Sequence, residues 1–263
     1  ESFIKEFEYA PTKYVSIKNP VSENSTRMVT SLIPGLIKNI VINKHESDVL
    51  RFFELGRTWQ MKNEICEQQV LAGVFYDYTT PVDFYACKKL LERLFDMLKL
   101  RVTYKKIGHP EDPWLAPYQS AYIYHGVTRI GYIGIGNTHF LAKKLEGSIC
   151  LFELDGDFLL NFEYQQPRFV PVSKYPSVER DISFLAPSTI SVDEFVALIK
   201  DQSSLVRQVT LIDFFTKKEW IGKRSLTMRY CLQDVTKTLT SHEIDAIAVQ
   251  IIRAIELKGA TVR

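Results

Sequence analysis

Apolar residues recur along this chain at two periods, one helical and one extended. From Ser22 to Asn43 they fall four apart, at Met28, Leu32, Leu36 and Ile40, the spacing of one helical face. Ile33, Ile37 and Val41 add a second stripe, and a helix apolar on two sides needs two partner surfaces. Pro34-Gly35 falls inside the pattern. A proline there loses a hydrogen bond and crowds the preceding turn, so a kink or two abutting helices is expected. Before it, Tyr14 to Lys18 reads as extended and Asn19-Pro20 as a break.

Strand-like runs follow at Leu50 to Leu55 and Glu67 to Tyr76. Thr80-Pro81 opens a helix with Phe84, Cys87, Leu91, Leu94 and Leu98 on one face, an ordinary core stripe. Further strands are expected at Arg101 to Lys106, Ser120 to Tyr124, Arg129 to Ile135 and Ile149 to Leu154. This part is a mixed α+β domain, residues 1–166.

Residues 167–263 form a second unit. Ile182 to Ala186, Val206 to Phe215 and Ser225 to Gln233 read as strands, and Thr261 to Arg263 as a short last one. Ser191 to Glu194 and Thr240 to Glu243 are capping boxes, in which a hydroxyl and a carboxylate satisfy backbone N–H groups at a helix start. The first opens a helix with Phe195, Leu198 and Ile199 inward, the second a helix striped by Ile244, Ile247, Ile251 and Ile255. The order β-α-β-β-α-β is that of a ferredoxin-like fold. In the third strand Leu226, Met228, Tyr230 and Leu232 alternate with Ser225, Thr227, Arg229 and Cys231, which predicts one buried and one polar face.

The chain is 46% hydrophobic and 24% charged with a net charge of +2, which excludes a strong general attraction to nucleic acid. Charge is uneven, however. Residues 167–263 hold 14 basic and 11 acidic residues against 19 and 20 for residues 1–166, so phosphate contacts are permitted in the second unit. Cys66, Cys87, Cys150 and Cys231 are scattered without a C-x-x-C pair, which argues against structural zinc and fits a reducing compartment, the cytoplasm. No apolar run reaches about 18 residues, so no membrane span is expected. The first residue is Glu, and a piece of a longer protein is expected.

The run YPSVERDISF, then IDFF, GKRSLTMRYCLQ, TLTSHEI and a final arginine resembles, in order and spacing, the ferredoxin-fold anticodon-binding domain that closes the β subunit of bacterial phenylalanine–tRNA ligase. Upstream, IKNPVSENSTRMVTSLIPGLIKN, RFFELGRTW, GVTRIGYIG and CLFELD resemble the catalytic-like module of the same subunit. The resemblance implies a degenerate class II synthetase-like antiparallel sheet domain followed by the ferredoxin-like one. It implies a non-catalytic scaffold that partners an α subunit in an α2β2 assembly and grips phenylalanine tRNA. ATP and Mg²⁺ would serve the complete enzyme and not this piece.

Two features bear on catalysis. Active modules carry Arg and Glu after the F-E-x-G-R run, where this chain has Gln60 and Lys62 behind Phe53 to Arg57. A neutral amide lacks the fixed positive charge that phosphoryl chemistry uses. Gly134-Ile135-Gly136 followed by His139 matches a third class II motif without its arginine.

Candidate tRNA contacts are Lys174, Tyr175, Arg180, Arg229, Lys217, Lys218, Lys223 and Arg224, with Trp220 among the last group. Each has a plain alternative. Arg180 and Asp181 either touch RNA or hold the start of the strand, Arg229 either reads RNA or pairs with Asp181 or Asp213, and the lysines either bind phosphate or are simply solvated. Asp213 reads as structural. In the resembled family the Thr26 to Asn43 region enters a helical bundle between subunits, which makes Leu32, Ile33, Leu36, Ile37 and Ile40 interface candidates against burial in their own domain.

Overall fold

The computed structural model describes residues 14–23, 25–61, 63–142, 144–163 and 172–263. The chain divides into two compact units, Glu1–Pro167 and Arg168–Arg263.

The first unit begins with a short pairing in which Ser16 bridges Arg27, and the N–H groups of Ile17 and Met28 donate to the carbonyls of Thr26 and Val15 at 2.9 Å each. Met28 therefore lies in extended chain, where a helix was expected. Helix α1 spans only Ile33–Asn43. Pro34 sits in its first turn, where an N–H has no intrahelical acceptor to lose, so it starts the helix and does not kink it.

Strands β1 (Val49–Met61) and β2 (Ile65–Asp77) form a long hairpin, followed by α2 (Phe84–Met97). The start of α2 is set by Asp83, whose carboxylate accepts from Tyr85 N–H at 2.9 Å. Thr80, expected to open the helix, instead donates its N–H to Asp77 Oδ1 at 2.8 Å. Then come β3 (Thr103–Ile107), β4 (Leu115–His125), β5 (Thr128–Gly136), the short α3 (Thr138–Leu141), β6 (Ser148–Asp155) and α4 (Gly156–Asn161). The six strands make one antiparallel sheet in the order β1-β2-β6-β5-β4-β3. Its two faces have separate cores. Val70, Ala72, Val74 and Tyr76 of β2 pack with the apolar side of α1, whereas Cys150, Phe152 and Leu154 of β6 pack with Cys87, Leu91 and Phe95 of α2.

The second unit contains β7 (Val178–Pro187), α5 (Val192–Lys200), β8 (Val206–Phe215), β9 (Lys223–Leu232), α6 (Ser241–Leu257) and β10 (Thr261–Val262). Its antiparallel sheet has the order β10-β7-β9-β8, with the first and third strands adjacent at the centre. Both capping boxes form. Phe195 and Ile199 of α5 and Ile244, Ile247, Ile251 and Ile255 of α6 bury one sheet face with Phe184, Leu226, Met228 and Leu232. Among the described residues no helix of this unit covers the other face.

Candidate nucleic-acid interface

The uncovered face of the second unit is built in cross-strand rows. One row runs Asp181, Arg229, Thr210, and the next runs Ser183, Thr227, Asp213. Because side chains alternate along a strand, these residues point away from the core that Leu226, Met228 and Tyr230 enter. Arg229 lies on the middle strand of the three. Its Nε donates to Asp181 Oδ1 at 2.7 Å and its Nη2 to Asp181 Oδ2 at 2.9 Å, while Glu179 Oε2 lies 3.4 Å from Nη1. These bonds hold the Asp181 carboxyl below its usual range and raise the guanidinium further above neutrality. Beside the pair, Ser183 Oγ and Thr227 Oγ1 share a hydrogen bond of 2.8 Å. Asp213 accepts from its neighbour Phe214 N–H at 2.8 Å.

One end of the face carries an aromatic and cationic border. Trp220 meets Phe215 edge-on at 5.9 Å, Arg263 lies 4.7 Å from the indole centre and Lys217 5.4 Å from it. Lys218 and Lys223 are exposed close by in sequence. Arg224 does not join them. Alternation turns it to the helix side, where it is half-buried, donates to the carbonyl of Ile190 and sits over Phe214. Arg180 also parts from Arg229. It is exposed, but it pairs in register with Tyr230, a core residue, so it projects from the opposite face. Lys174 is exposed. Tyr175 is stitched to the far end of β9, its carbonyl accepting from Gln233 Nε2 at 2.8 Å, while Ser173 Oγ donates to the Asp234 carbonyl at 3.3 Å.

In the first unit the five interface candidates are core residues. Leu32, Ile33, Leu36, Ile37 and Ile40 retain 5% or less of their surface, all of it lost within this chain. They offer nothing for a subunit to touch, because the second apolar stripe packs on the same sheet as the first. The exposed large apolar residue of α1 is Ile42, 62% exposed, beside the exposed Lys38 and Asn39.

Gln60 is exposed on β1, and Lys62 lies outside the described residues. Arg57 is neutralised by Glu67 at 2.8 Å. These side chains do not fit a bound triphosphate, which needs uncommitted positive charge. The glycines of Gly134-Ile135-Gly136 are packing residues. A Cβ on Gly134 would stand 2.3 Å from Ser120 Oγ, and one on Gly136 2.3 Å from Ile149 Cγ1. Among the described residues no group of three His, Cys, Asp or Glu side chains is placed to hold a metal ion.

One buried polar cluster has no sequence signature. Glu153 on β6 accepts from Ser31 Oγ at 2.6 Å and from the Leu32 N–H, at the start of α1. Burial pushes its carboxyl up to about 7 and that of nearby Asp112 up to about 6. Tyr132, hydrogen-bonded by Trp114 Nε1 at 3.2 Å, is buried beside them. Ser31 and Glu153 are 122 residues apart, which hides the pairing from local pattern.

The comparisons with known proteins agree along the chain. Residues 1–156 match the family model of the phenylalanyl-tRNA synthetase β chain CLM domain, and residues 173–263 match that of the ferredoxin-fold anticodon binding domain. The phenylalanine–tRNA ligase β subunit of Nitrosospira multiformis is 33% identical over 95% of this chain and 32% of its own length. The β subunit of Carboxydothermus hydrogenoformans is 29% identical over 96% and 33%, and that of Thermotoga maritima 27% over 96% and 33%. The chain thus spans about a third of the length of the curated relatives it matches. The collinear matches to both domains place it in one family: the chain belongs to the phenylalanyl-tRNA synthetase β chains.

Proposed function

We propose that this chain serves as the non-catalytic, tRNA-gripping part of a phenylalanine–tRNA ligase. Residues 167–263 hold the anticodon region, and residues 1–166 act as a scaffold that an α subunit completes in an α2β2 assembly. Adenylate formation with ATP and Mg²⁺ belongs to that partner. This division agrees with the neutral Gln60 and the committed Arg57. The setting is cytoplasmic, in keeping with four free cysteines and with the lack, among the described residues, of any helix long and apolar enough to cross a membrane.

The observation that carries this reading is the uncovered sheet face with Arg229 at its centre. A guanidinium pinned by Asp181 presents its remaining N–H donors in a fixed direction, suited to a phosphate or a guanine edge. Trp220 and Phe215 offer π-faces for a splayed base, and Lys174, Lys217, Lys218 and Lys223 supply charge for the backbone around it. Phosphate contacts position the tRNA and base contacts select it. The grip works by orientation: holding the anticodon fixes where the acceptor end lies. Arg180 and Arg224, facing the other way, play a structural part in this reading.

The test is a titration of the chain with phenylalanine tRNA and an anticodon-substituted version across a salt series. Tighter binding of the intact anticodon, lost in Arg229→Ala, supports the grip. Equal binding of both RNAs with a steep salt slope rejects it and leaves only a basic surface.

A further inference from the structure

In the first unit, two cations cross over one strand of the six-stranded sheet. Lys105 on β3 stands in register with Tyr122 on β4, yet its ammonium lies 4.5 Å from the ring centre of Tyr124. Arg129 on β5 stands in register with Tyr124, yet its guanidinium lies 4.4 Å from the ring centre of Tyr122. Each cation takes the diagonal ring, so the two pairs form a cross on β4. A register shift between Ile123 and Tyr124 brings Arg129 to this face.

Both cations are exposed and both rings half-exposed. Among the described residues neither Lys105 nor Arg129 makes an ion pair. Arg129 draws the buried Asp112 carboxyl down against the larger upward push of burial, but this is attraction through space and not an ion pair. Lys106, which pairs with the core residue Ala121 and so starts from the other face of β3, lies 5.5 Å over the ring of Tyr118 and takes no part in the cross. Helix α1 packs on β1 and β2, at the other end of this face.

Lysines on an edge strand are a common guard against strand addition, which accounts for Lys105 and Lys106 on β3. It does not account for Arg129, because β5 is the third strand in. An arginine needed only for packing would normally find a carboxylate. Here the charge is left outward, stacked on tyrosine. That combination suits RNA: phosphates meet the ammonium and guanidinium, and an unpaired base stacks on the arginine–tyrosine layer. We propose that the crossed pairs Lys105–Tyr124 and Arg129–Tyr122 form a second RNA-binding surface, on residues 1–167, separate from the anticodon grip. Its ligand is the backbone and an unpaired nucleotide of the same tRNA, and in naming tRNA the inference rests on the function proposed above.

The experiment uses the whole chain with a phenylalanine tRNA transcript, an anticodon-substituted transcript and heparin. Removing both charges in Lys105→Ala/Arg129→Ala lowers tRNA affinity, and the slope of log affinity against log salt falls by about 1.4 to 1.8, the value for two lost phosphate contacts. Preference for the intact anticodon is unchanged, because the other surface supplies it. Tyr124→Leu weakens tRNA but not heparin, since heparin has no bases. An unchanged affinity and slope in the double variant overturns the inference. So does a loss confined to charge, with Tyr124→Leu neutral toward tRNA, which would mark a surface for an acidic protein. Failure of the anticodon reading looks different: both transcripts bind equally, while the double variant still lowers the slope. Circular dichroism and melting of both variants, at exposed and half-exposed positions, separate these outcomes from misfolding.

Discussion

Asp181 and Arg229 face each other on the two central strands of the second unit, and Arg229 donates two hydrogen bonds to the Asp181 carboxylate, at 2.7 and 2.9 Å. The pair is solvent-exposed, so its value to stability is small. Its value is directional. Asp181→Ala is expected to leave the unfolding free energy nearly unchanged while releasing the guanidinium. Arg229→Ala should lower discrimination between intact and substituted anticodons by about 1–3 kcal/mol, the cost of one bidentate base contact. Chemical denaturation and tRNA titration of the two variants check this. A large stability loss without an RNA effect would assign the pair to folding alone.

Glu153 and Asp112 make the first unit pH-dependent. Their carboxyls titrate at about 7 and about 6 in the folded chain, against 4.5 and 3.8 for ordinary Glu and Asp, because burial disfavours their charged forms. Between those limits the folded chain binds more protons than the unfolded one, so stability rises as pH falls from 7 toward 5 and is lost as pH rises. The urea midpoint is expected to be higher at pH 5.5 than at pH 8. Glu153→Gln, which keeps an acceptor for Ser31, should narrow the difference. A midpoint flat across this range would contradict the buried state of both groups.

The two sides of α1 give a sharp contrast. Ile37 is buried at 1% exposure, whereas the adjacent Lys38 is exposed. Ile37→Ala is expected to cost about 2–5 kcal/mol, the range for deleting a buried branched side chain, and Lys38→Ala under about 0.5 kcal/mol. Denaturation of the isolated chain decides it. A near-neutral Ile37→Ala would restore the view that this stripe waits for a subunit.

Thr240 caps α6 by accepting from Glu243 N–H, while Glu243 accepts from the Thr240 N–H at 2.9 Å and from Lys237. Thr240→Ala should cost about 1 kcal/mol and Thr240→Ser much less, since serine restores the hydroxyl. Melting of the three proteins measures the step. Equal loss in both variants would mean that the threonine methyl, and not the cap, matters.

What could be read from the chain was what short-range chemistry encodes. The alternation Leu226, Met228, Tyr230, Leu232 forced one face of β9 inward, and both capping boxes marked their helices because the bonds join residues three apart. Errors arose where position within an element, and not residue type, decides the outcome. Pro34 is disruptive mid-helix and welcome in the first turn, and the apolar stripe running back to Met28 hid where the turn began. Arg180 was open between RNA contact and holding the strand start, and its side of β7 is the one it shares with the buried Ile182 and Phe184. For Arg229, Asp181 and Asp213 were both open as partners. Strand pairing settled on Asp181, and Asp213 turned to the Phe214 N–H. The Ser31–Glu153 bond joins the loop before α1 to a strand 122 residues away, and the crossed tyrosine pairs join three strands, contacts that only the folded sheet brings together.

The strand order of the second unit also governs when its parts can assemble. The central neighbours β7 and β9 are not consecutive; β8 and a helix lie between them, and Asp181 meets Arg229 across 48 residues. A chain growing from the ribosome can make α5 early, since its capping box is local, but the middle of the sheet waits until β9 has emerged. Non-local pairing of this kind slows folding, because the intervening chain must be ordered before the contacts form. The guanidinium at the centre of the exposed face is therefore fixed only once β9 is complete, and its two bonds to Asp181 are a marker that the two central strands have paired.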